Sequence, residues 1–330
     1  MGRTFLGEAP SPSPLRDART HPAPPPGEAP SPTPPPLRRE RGYLRDDSPP
    51  IGAEARACSM TRVIVEMPVY FQVARRAFQR QGAYRTANVA GIFTNTVFGY
   101  VRSVPLMAAF AARPRIEGYD AGTAMTWNWL VQALIAVVAL WGWWEVAVTI
   151  RSGDVAVDLA RPVDYLGYWF ARDVGRALWF LAFRAVPIFL VGALGSGVRW
   201  PSDPLVTWPL FAVSIALAVT TSFAWRFLLN LTAFSLKDYR GVASLGLVTT
   251  TFLSGFLVPI AFFPPWARTI VEVLPFAAIV QVPATVFLEL THGAELVRIV
   301  GVQALWAAAM LGVARAGASW ATRRVVVQGG

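Results

Sequence analysis

The sequence predicts an all-α integral membrane protein: six transmembrane helices, an N-terminal amphipathic interfacial helix, and an outer re-entrant segment between spans five and six. Three observations predict it. The 330 residues are 54% hydrophobic and 15% charged, where a soluble domain carries about a quarter charged residues. Apolar runs of the length a bilayer demands, about 20 residues of helix, recur along the chain. The basic side chains then sort to one side of those runs.

Residues 1–59 stand apart. They hold 14 of the 27 prolines, and "GEAPSPSPLR" (Gly7 to Arg16) recurs as "GEAPSPTPPPLR" (Gly27 to Arg38). A segment this poor in apolar residues cannot bury enough surface to offset its ordering entropy, so disorder with polyproline character is expected. It holds no apolar stretch of signal-peptide length. A Pro-rich docking tail is one reading, and a true translation start at Met60 is the favoured one. The working domain is expected over residues 60–330.

Next, Tyr70, Val73, Ala74, Ala77 and Phe78 repeat at helical spacing, with Arg75, Arg76, Gln79 and Arg80 on the other face. This predicts an amphipathic helix in the inner headgroup layer. A plain cytoplasmic cap on the first span fits the same pattern.

The six spans are expected at Asn88–Ala111, Met125–Ile150, Ala177–Leu194, Leu205–Leu231, Val242–Phe263 and Val297–Ser319. A seventh run, Val273–Leu288, is uncharged but short and broken by Pro275 and Pro283, so it reads as re-entrant or interfacial. With the N-terminus in the cytoplasm, the 22 basic residues from Met60 onward divide into 14 inside, five outside and three within spans. That asymmetry places both termini in the cytoplasm. Trp127, Trp129, Trp200, Trp208 and Trp266 are expected at the outer boundary, and Trp141, Trp143 and Trp144 at the inner one.

Between spans two and three lies "RSGDVAVDLARPVDYLGYWFARDVGR" (Arg151 to Arg176), with four arginines and four aspartates. About two helical turns are expected before Pro162 stops them. Arg151, Asp154, Asp158 and Arg161, spaced three, four and three apart, would share one face. Val155 and Leu159 would pack against the membrane-proximal helices. The segment is either a solvated spacer or a docking helix for a soluble partner, and the balance of signs favours docking, since orientation alone needs only arginines.

Four charges are assigned to the interiors of the expected spans, with Arg298 and Arg315 counted at the outer and inner ends of the sixth. Arg102 lies at mid-depth of the first, Arg184 midway along the third, and Glu145 and Arg226 nearer inner ends. A charge at mid-bilayer costs about 3 kcal/mol or more, so such groups face a protein interior or cavity. They are candidates for a polar patch on a substrate route or subunit interface. The structural alternative is snorkelling for Glu145 and Arg226, and an interhelix ion pair for Arg102 or Arg184. In "SGFLVPIAFFPPW", Ser254, Gly255, Pro259, Pro264 and Pro265 would break the outer end of span five and form an outer gate. A merely kinked span end is the alternative.

Other chemistry lacks its parts. The sole lysine, Lys237, sits in "SLKDYRG" with no glycine before it, so no phosphate-cradling loop exists. Cys58 is the only cysteine, and His21 and His292 lie far apart, so neither catalytic nor metal site is expected. The net charge of +10 follows the membrane topology, and nucleic acid is not expected as a partner.

The charged loop resembles the first cytoplasmic loop of permease subunits of ABC-2 type ATP-binding-cassette transporters, particularly an actinobacterial branch. "FTNTVFGYVRS" (Phe93 to Ser103), "FLSGFLVPIAFFPPW" (Phe252 to Trp266), "LPFAAIVQVP" (Leu274 to Pro283) and "TRRVVVQGG" (Thr322 to Gly330) carry the same resemblance, which covers Met60 to the C-terminus. It implies a six-span exporter subunit of the cytoplasmic membrane with a re-entrant hairpin between spans five and six. ATPase subunits, holding ATP and Mg²⁺, would dock on Arg151, Asp154, Asp158, Arg161 and Asp164. The permease would pair with itself or a sister subunit, within membrane lipid. The rival readings are an ion- or proton-coupled secondary transporter, which needs a deep titratable carboxylate that only Glu145 approaches, and a membrane anchor for a cytosolic partner.

Overall fold

Backbone polar groups in a long apolar sequence find partners most readily within their own helix, and every regular element among the described residues is helical. The structure, a computed structural model, describes residues 68–236 and 238–323. The expectations for residues 1–59, for Met60 and for Lys237 lie outside them. A single isolated bridge, Ile116 to Tyr119, closes the turn after the second helix.

Helix α1 (residues 68–82) carries the expected face: Tyr70, Val73, Ala74, Ala77 and Phe78 are half-buried, and Arg75, Arg76, Gln79 and Arg80 are exposed. Part of that apolar face is used by protein. A Cβ at Gly175 would lie 2.0 Å from the Ala74 carbonyl oxygen, so the two backbones touch where only glycine fits. The Phe78 ring stands 6.1 Å from Phe183.

Helix α2 (Arg85–Ala112) spans 28 residues and runs through Pro105. Helix α3 (Ala121–Val137) starts at Asp120, whose carboxylate accepts from the Thr123 amide at 2.9 Å. Here the structure corrects the sequence reading: Met125–Ile150 is not one helix. The chain leaves helical geometry at Val138, with positive φ at Ala139 (47°) and Gly142 (98°), and resumes as α4 (Glu145–Ser152). Trp127 and Trp129, expected at a membrane boundary, are instead fully buried. Trp129 fills the space left by Gly99 and Gly192, where a Cβ would lie 2.5 Å and 2.2 Å from its ring.

Gly153 (φ 85°) ends α4 in the left-handed conformation, and α5 (Val155–Leu159) is only five residues long. Helix α6 (Tyr165–Phe180) continues through a π turn (Leu181–Ala185) into α7 (Val186–Ser196). Pro187 has no amide to give Phe183, which accounts for the wider turn. Helix α8 (Pro204–Leu231) is followed by α9 (Arg240–Leu253), α10 (Pro265–Val273), α11 (Gln281–Phe287) and α12 (Gly293–Thr322).

Among the described residues, three helices are long and apolar enough to cross a membrane: Tyr165–Ser196, Pro204–Phe234 and Gly293–Thr322. Helix α2 has the length but carries Asn88, Thr94, Asn95, Arg102 and Ser103. Helix α9, at 14 residues, is shorter than the expected Val242–Phe263, because Gly255, Pro259 and Pro264 end helical geometry early. Val273–Leu288 is not continuous either: turns at residues 274–280 separate α10 from α11.

Two clusters hold these elements together. The larger surrounds Trp127, Trp129, Leu134, Ile188, Phe211, Ile279 and Phe287, and joins α3, α7, α8 and α11. The smaller surrounds Val146, Val155, Trp169, Phe223, Phe227 and Ala314, and joins α4, α5, α6, α8 and α12. Helix α8 belongs to both, and packs along α12.

Candidate functional site

Interrupting a helix frees backbone groups that an apolar surrounding cannot satisfy. This chain does so twice, and the side chains that answer those groups form the candidate site. The first break, Val138 to Trp144, is closed from α6 and α8. Arg176 donates Nη1 to the Ala136 carbonyl (2.6 Å) and Nη2 to that of Val137 (2.9 Å). Ser222 Oγ donates to the Val138 carbonyl at 2.5 Å. Asn230 donates Nδ2 to the Trp143 carbonyl (2.9 Å) and accepts from the Ala147 amide (2.8 Å). Both lips of the break are thereby capped.

Asp173 organises these donors. Its carboxylate, fully buried, accepts from Arg176 Nε at 2.7 Å and from Arg226 Nη2 at 2.8 Å. Arg226 Nε also donates to Ser222 Oγ at 3.2 Å. Two guanidinium groups thus share one carboxylate, and the surplus positive charge is spread over the carbonyl dipoles of the broken helix. Arg226 therefore does not snorkel; it is buried in an ion network. Glu145, also expected to snorkel, binds Arg172 at 2.5 Å and Arg80 at 3.6 Å, linking α4 to α6 and α1. In the sequence, Asp173 is one more charge in a dense run. The signal that identifies it is its spacing of three from Arg176.

The second break, residues 254–264, is held from α2 and α11. Arg102 Nη2 donates to the carbonyls of Phe256 (2.7 Å) and Leu257 (2.8 Å). Its guanidinium carbon lies 4.9 Å from the Phe256 ring centre and 5.4 Å from that of Trp127. Gln281 accepts from the Ile260 amide at 3.1 Å, and its own amide donates to the Ser254 carbonyl at 3.0 Å. Its Nε2 reaches the Tyr119 hydroxyl at 3.2 Å. Gly255 turns the chain at φ 81°, with Gln281 Oε1 only 2.7 Å from where a Cβ would sit. Pro264 and Pro265 start α10. Helix α9 ends just before Ser254 and Gly255, and α10 starts at Pro265.

The second break is less completely satisfied. Arg102 Nη1 and Ser254 Oγ are shut from solvent with no hydrogen-bond partner. The interhelix ion pair is also not formed: among the described residues no carboxylate pairs with Arg102 or Arg184. Arg184 lies in the π turn, 5.6 Å from the Phe180 ring.

The loop after α4 departs from expectation as well. Gly153 separates Arg151 from α5, so Arg151, Asp154, Asp158 and Arg161 do not form one helical stripe. Asp158 is 8% exposed and pairs with Arg161 at 3.2 Å. Burial pushes its carboxyl above the usual range, against the pull of Arg161 and Arg172. Asp164 caps α6 by accepting from the Gly167 amide at 2.8 Å, and pairs with Arg315 of α12 at 3.0 Å. Arg151, Asp154 and Val157 are among the residues left exposed. Val155 is buried, as expected.

A third feature lies between α3, α8 and α11: a cleft of about 290 Å³ lined by Thr123, Arg199, Trp200, Glu289 and His292, among others. Glu289 has a positive φ of 51°. Its carboxylate accepts from the Asp203 amide at 3.0 Å and Thr207 Oγ1 at 2.6 Å, as well as from Ser202. Burial works against its charge, but these donors hold it down to about 2.

A family profile described as ABC-2 family transporter protein matches residues 100–329. Among curated proteins none matches the chain, and among solved structures none does. The matched range takes in both interruptions, the charged loop and helices α10 and α11, and it covers well over half of the sequence. The chain belongs to the ABC-2 family of transporter proteins.

Proposed function

We propose that this membrane component is the permease subunit of an ABC-2 exporter of the cytoplasmic membrane, driven by ATP and Mg²⁺ held on a separate ATPase. The working domain runs over residues 60–330 and crosses the bilayer six times, with both termini inside. The crossings are α2, α3 with α4, α6 with α7, α8, α9 extended by its non-helical segment, and α12. The α10–α11 hairpin enters and leaves on the outer side. Helix α1 lies at the inner surface, and the exposed apolar residues of α2, such as Val89, Phe93 and Val97, meet lipid or a second permease.

The observation that carries this reading is the mechanical linkage of the charged loop. Its exposed face, with Arg151 and Asp154, is offered to an ATPase; Asp158 pairs with Arg161 inside the loop, while Arg161 over the Tyr168 ring and Asp164 with Arg315 tie the loop to α6 and α12. Asn230 holds α4 at the first break, and Asp164 is tied to Arg315. A displacement at the loop is therefore delivered to buried ion pairs and not lost in a flexible connector. Helix α3 then leads from the first break toward Tyr119 at the second, over about 25 Å of helix. Residues 254–264 would serve as the outer gate.

The secondary-transporter alternative needs a carboxylate free to titrate. Glu145 is paired with Arg80 and Arg172, and Asp173 with Arg176 and Arg226, so neither carboxylate stands unpaired on a route, which favours an external energy source. The test is purification of the full chain from native membranes with its ATPase, followed by reconstitution. ATP-dependent cargo movement supports the reading. Recruitment of the ATPase with no cargo movement would make the chain an anchor. In a Cys58→Ser, Val157→Cys chain, labelling by an impermeant reagent from outside intact cells would invert the topology and remove the docking role.

A further inference from the structure

We propose that Arg102 is the binding point for an acidic group on the cargo, and that the cargo is an anionic amphiphile. The inference rests on the reading of residues 254–264 as a gate. Its starting point is an imbalance: Arg80, Arg161, Arg172, Arg176 and Arg226 each have a carboxylate partner. Arg102, half-buried between two aromatic rings, has none among the described residues. One of its amino groups serves two neutral carbonyls, and the other serves nothing.

A guanidinium presents its N–H donors as a planar fork that matches a carboxylate or phosphate, and charge-assisted bonds of that kind are about twice as strong as neutral ones. An acidic group arriving at Arg102 would take Nη1, which is idle. To engage the fork fully it would also take Nη2 from Phe256 and Leu257. Binding of the acid and release of the gate segment would then be one event. Ser254 Oγ, fully buried and unpartnered two residues from Phe256, is a further donor at the same segment. The surroundings fit an apolar body: Trp127 and Phe256 flank the guanidinium, and Val101, Val104, Leu257 and Val258 are exposed nearby in sequence. The acid chemistry is shared by an acidic lipid of the bilayer and by a water-borne acid, so the test carries both.

The full chain with Cys58→Ser and Leu257→Cys is placed in phosphatidylcholine nanodiscs. Two quantities are read: binding of hexadecyl phosphate, from quenching of tryptophan fluorescence by a brominated analogue, and the rate of maleimide labelling at position 257. The expected result is saturable binding with labelling faster by about tenfold, the scale of one lost charge-assisted hydrogen bond. Hexadecanol should do neither. Arg102→Gln should abolish the binding and raise the basal labelling rate, and Arg102→Lys, which keeps the charge without the fork, should bind weakly. Equal binding in the Arg102→Gln chain, or an equal response to hexadecanol, overturns the proposal. A response to inorganic phosphate alone supports the acid site and overturns the amphiphile. Arg102-dependent binding with unchanged labelling supports the acid site and overturns the gate.

Discussion

The two interrupted helices meet the same physical demand with different chemistry. At the break between α3 and α4, the lip residues Ala136, Val137, Val138, Trp143 and Ala147 are met by Arg176, Ser222 and Asn230, and a fully buried Asp173 neutralises part of the charge this brings in. At the break between α9 and α10, one guanidinium with no counter-ion and one glutamine do the work, and two buried polar atoms stay unanswered. A network in which members satisfy one another is stiff, and a partly satisfied one yields first. On the proposed reading, the first break transmits and the second moves.

The largest expected effect tests the stiff half. Asp173→Asn leaves Arg176 and Arg226 without their carboxylate, and breaking a buried pair in this way costs about 3–5 kcal/mol. In detergent, the thermal midpoint should fall by roughly 10 °C, or folded protein should be lost altogether. A midpoint within 2 °C of the parent would mean that water reaches the network and that the break is soft, erasing the contrast. Asn230→Ala removes a donor and an acceptor at one lip and should cost about 2 kcal/mol, read from the same melting curve. Arg102→Gln should lower the midpoint less than Asp173→Asn does, since no buried charge is stranded. An equal loss would place the two breaks in one class.

How much of this was legible differs between the halves for a physical reason. Prolines and glycines announce a chain's departure from helix, so Gly255, Pro259, Pro264 and Pro265 marked the second break directly. The first break has no proline and a single glycine, Gly142. It sits inside an apolar run whose composition reads as one crossing, and it exists because α6 and α8 supply caps from 39 and 84 residues away in sequence. Apolar periodicity also found α1 and its buried face. The interface preference of tryptophan did not foretell that Trp127 and Trp129 are buried within protein; at Trp129, glycines on α2 and α7 make room for the ring. The helical stripe in the loop failed at Gly153, whose left-handed turn reorients everything after it.

That failure sharpens the docking test. Reversing Asp158 would damage a buried pair, so any loss of coupling would be ambiguous. Asp154 is exposed and bonded only to its neighbour Ser152 at 2.6 Å. Asp154→Arg should weaken ATPase recruitment by about tenfold, chiefly through faster dissociation, while stability stays within about 0.5 kcal/mol. Undiminished recruitment and transport by this variant would move the docking surface elsewhere, and the stiff break would lose its claimed input.

The smallest effect concerns the hairpin's far anchor. Glu289 ties the end of α11 to Ser202, Asp203 and Thr207 at the start of α8, with its carboxyl held near 2. Its pKa in the folded protein is depressed, so the stabilisation it gives is complete above the unfolded value of 4.5 and is lost as pH falls through about 2. Amide exchange at Ser202 and Asp203 should therefore be flat from pH 8 to pH 5 once corrected for intrinsic rates, and loosen only below pH 4.5. Glu289→Gln should loosen these amides at all pH values and leave Phe256 and Leu257 as the parent has them. If the variant also loosens residues 256 and 257, the hairpin and the second break move as one piece. The yielding region would then extend from the Arg102 contact to the start of α8, and its resistance would be set at both ends and not by Arg102 alone.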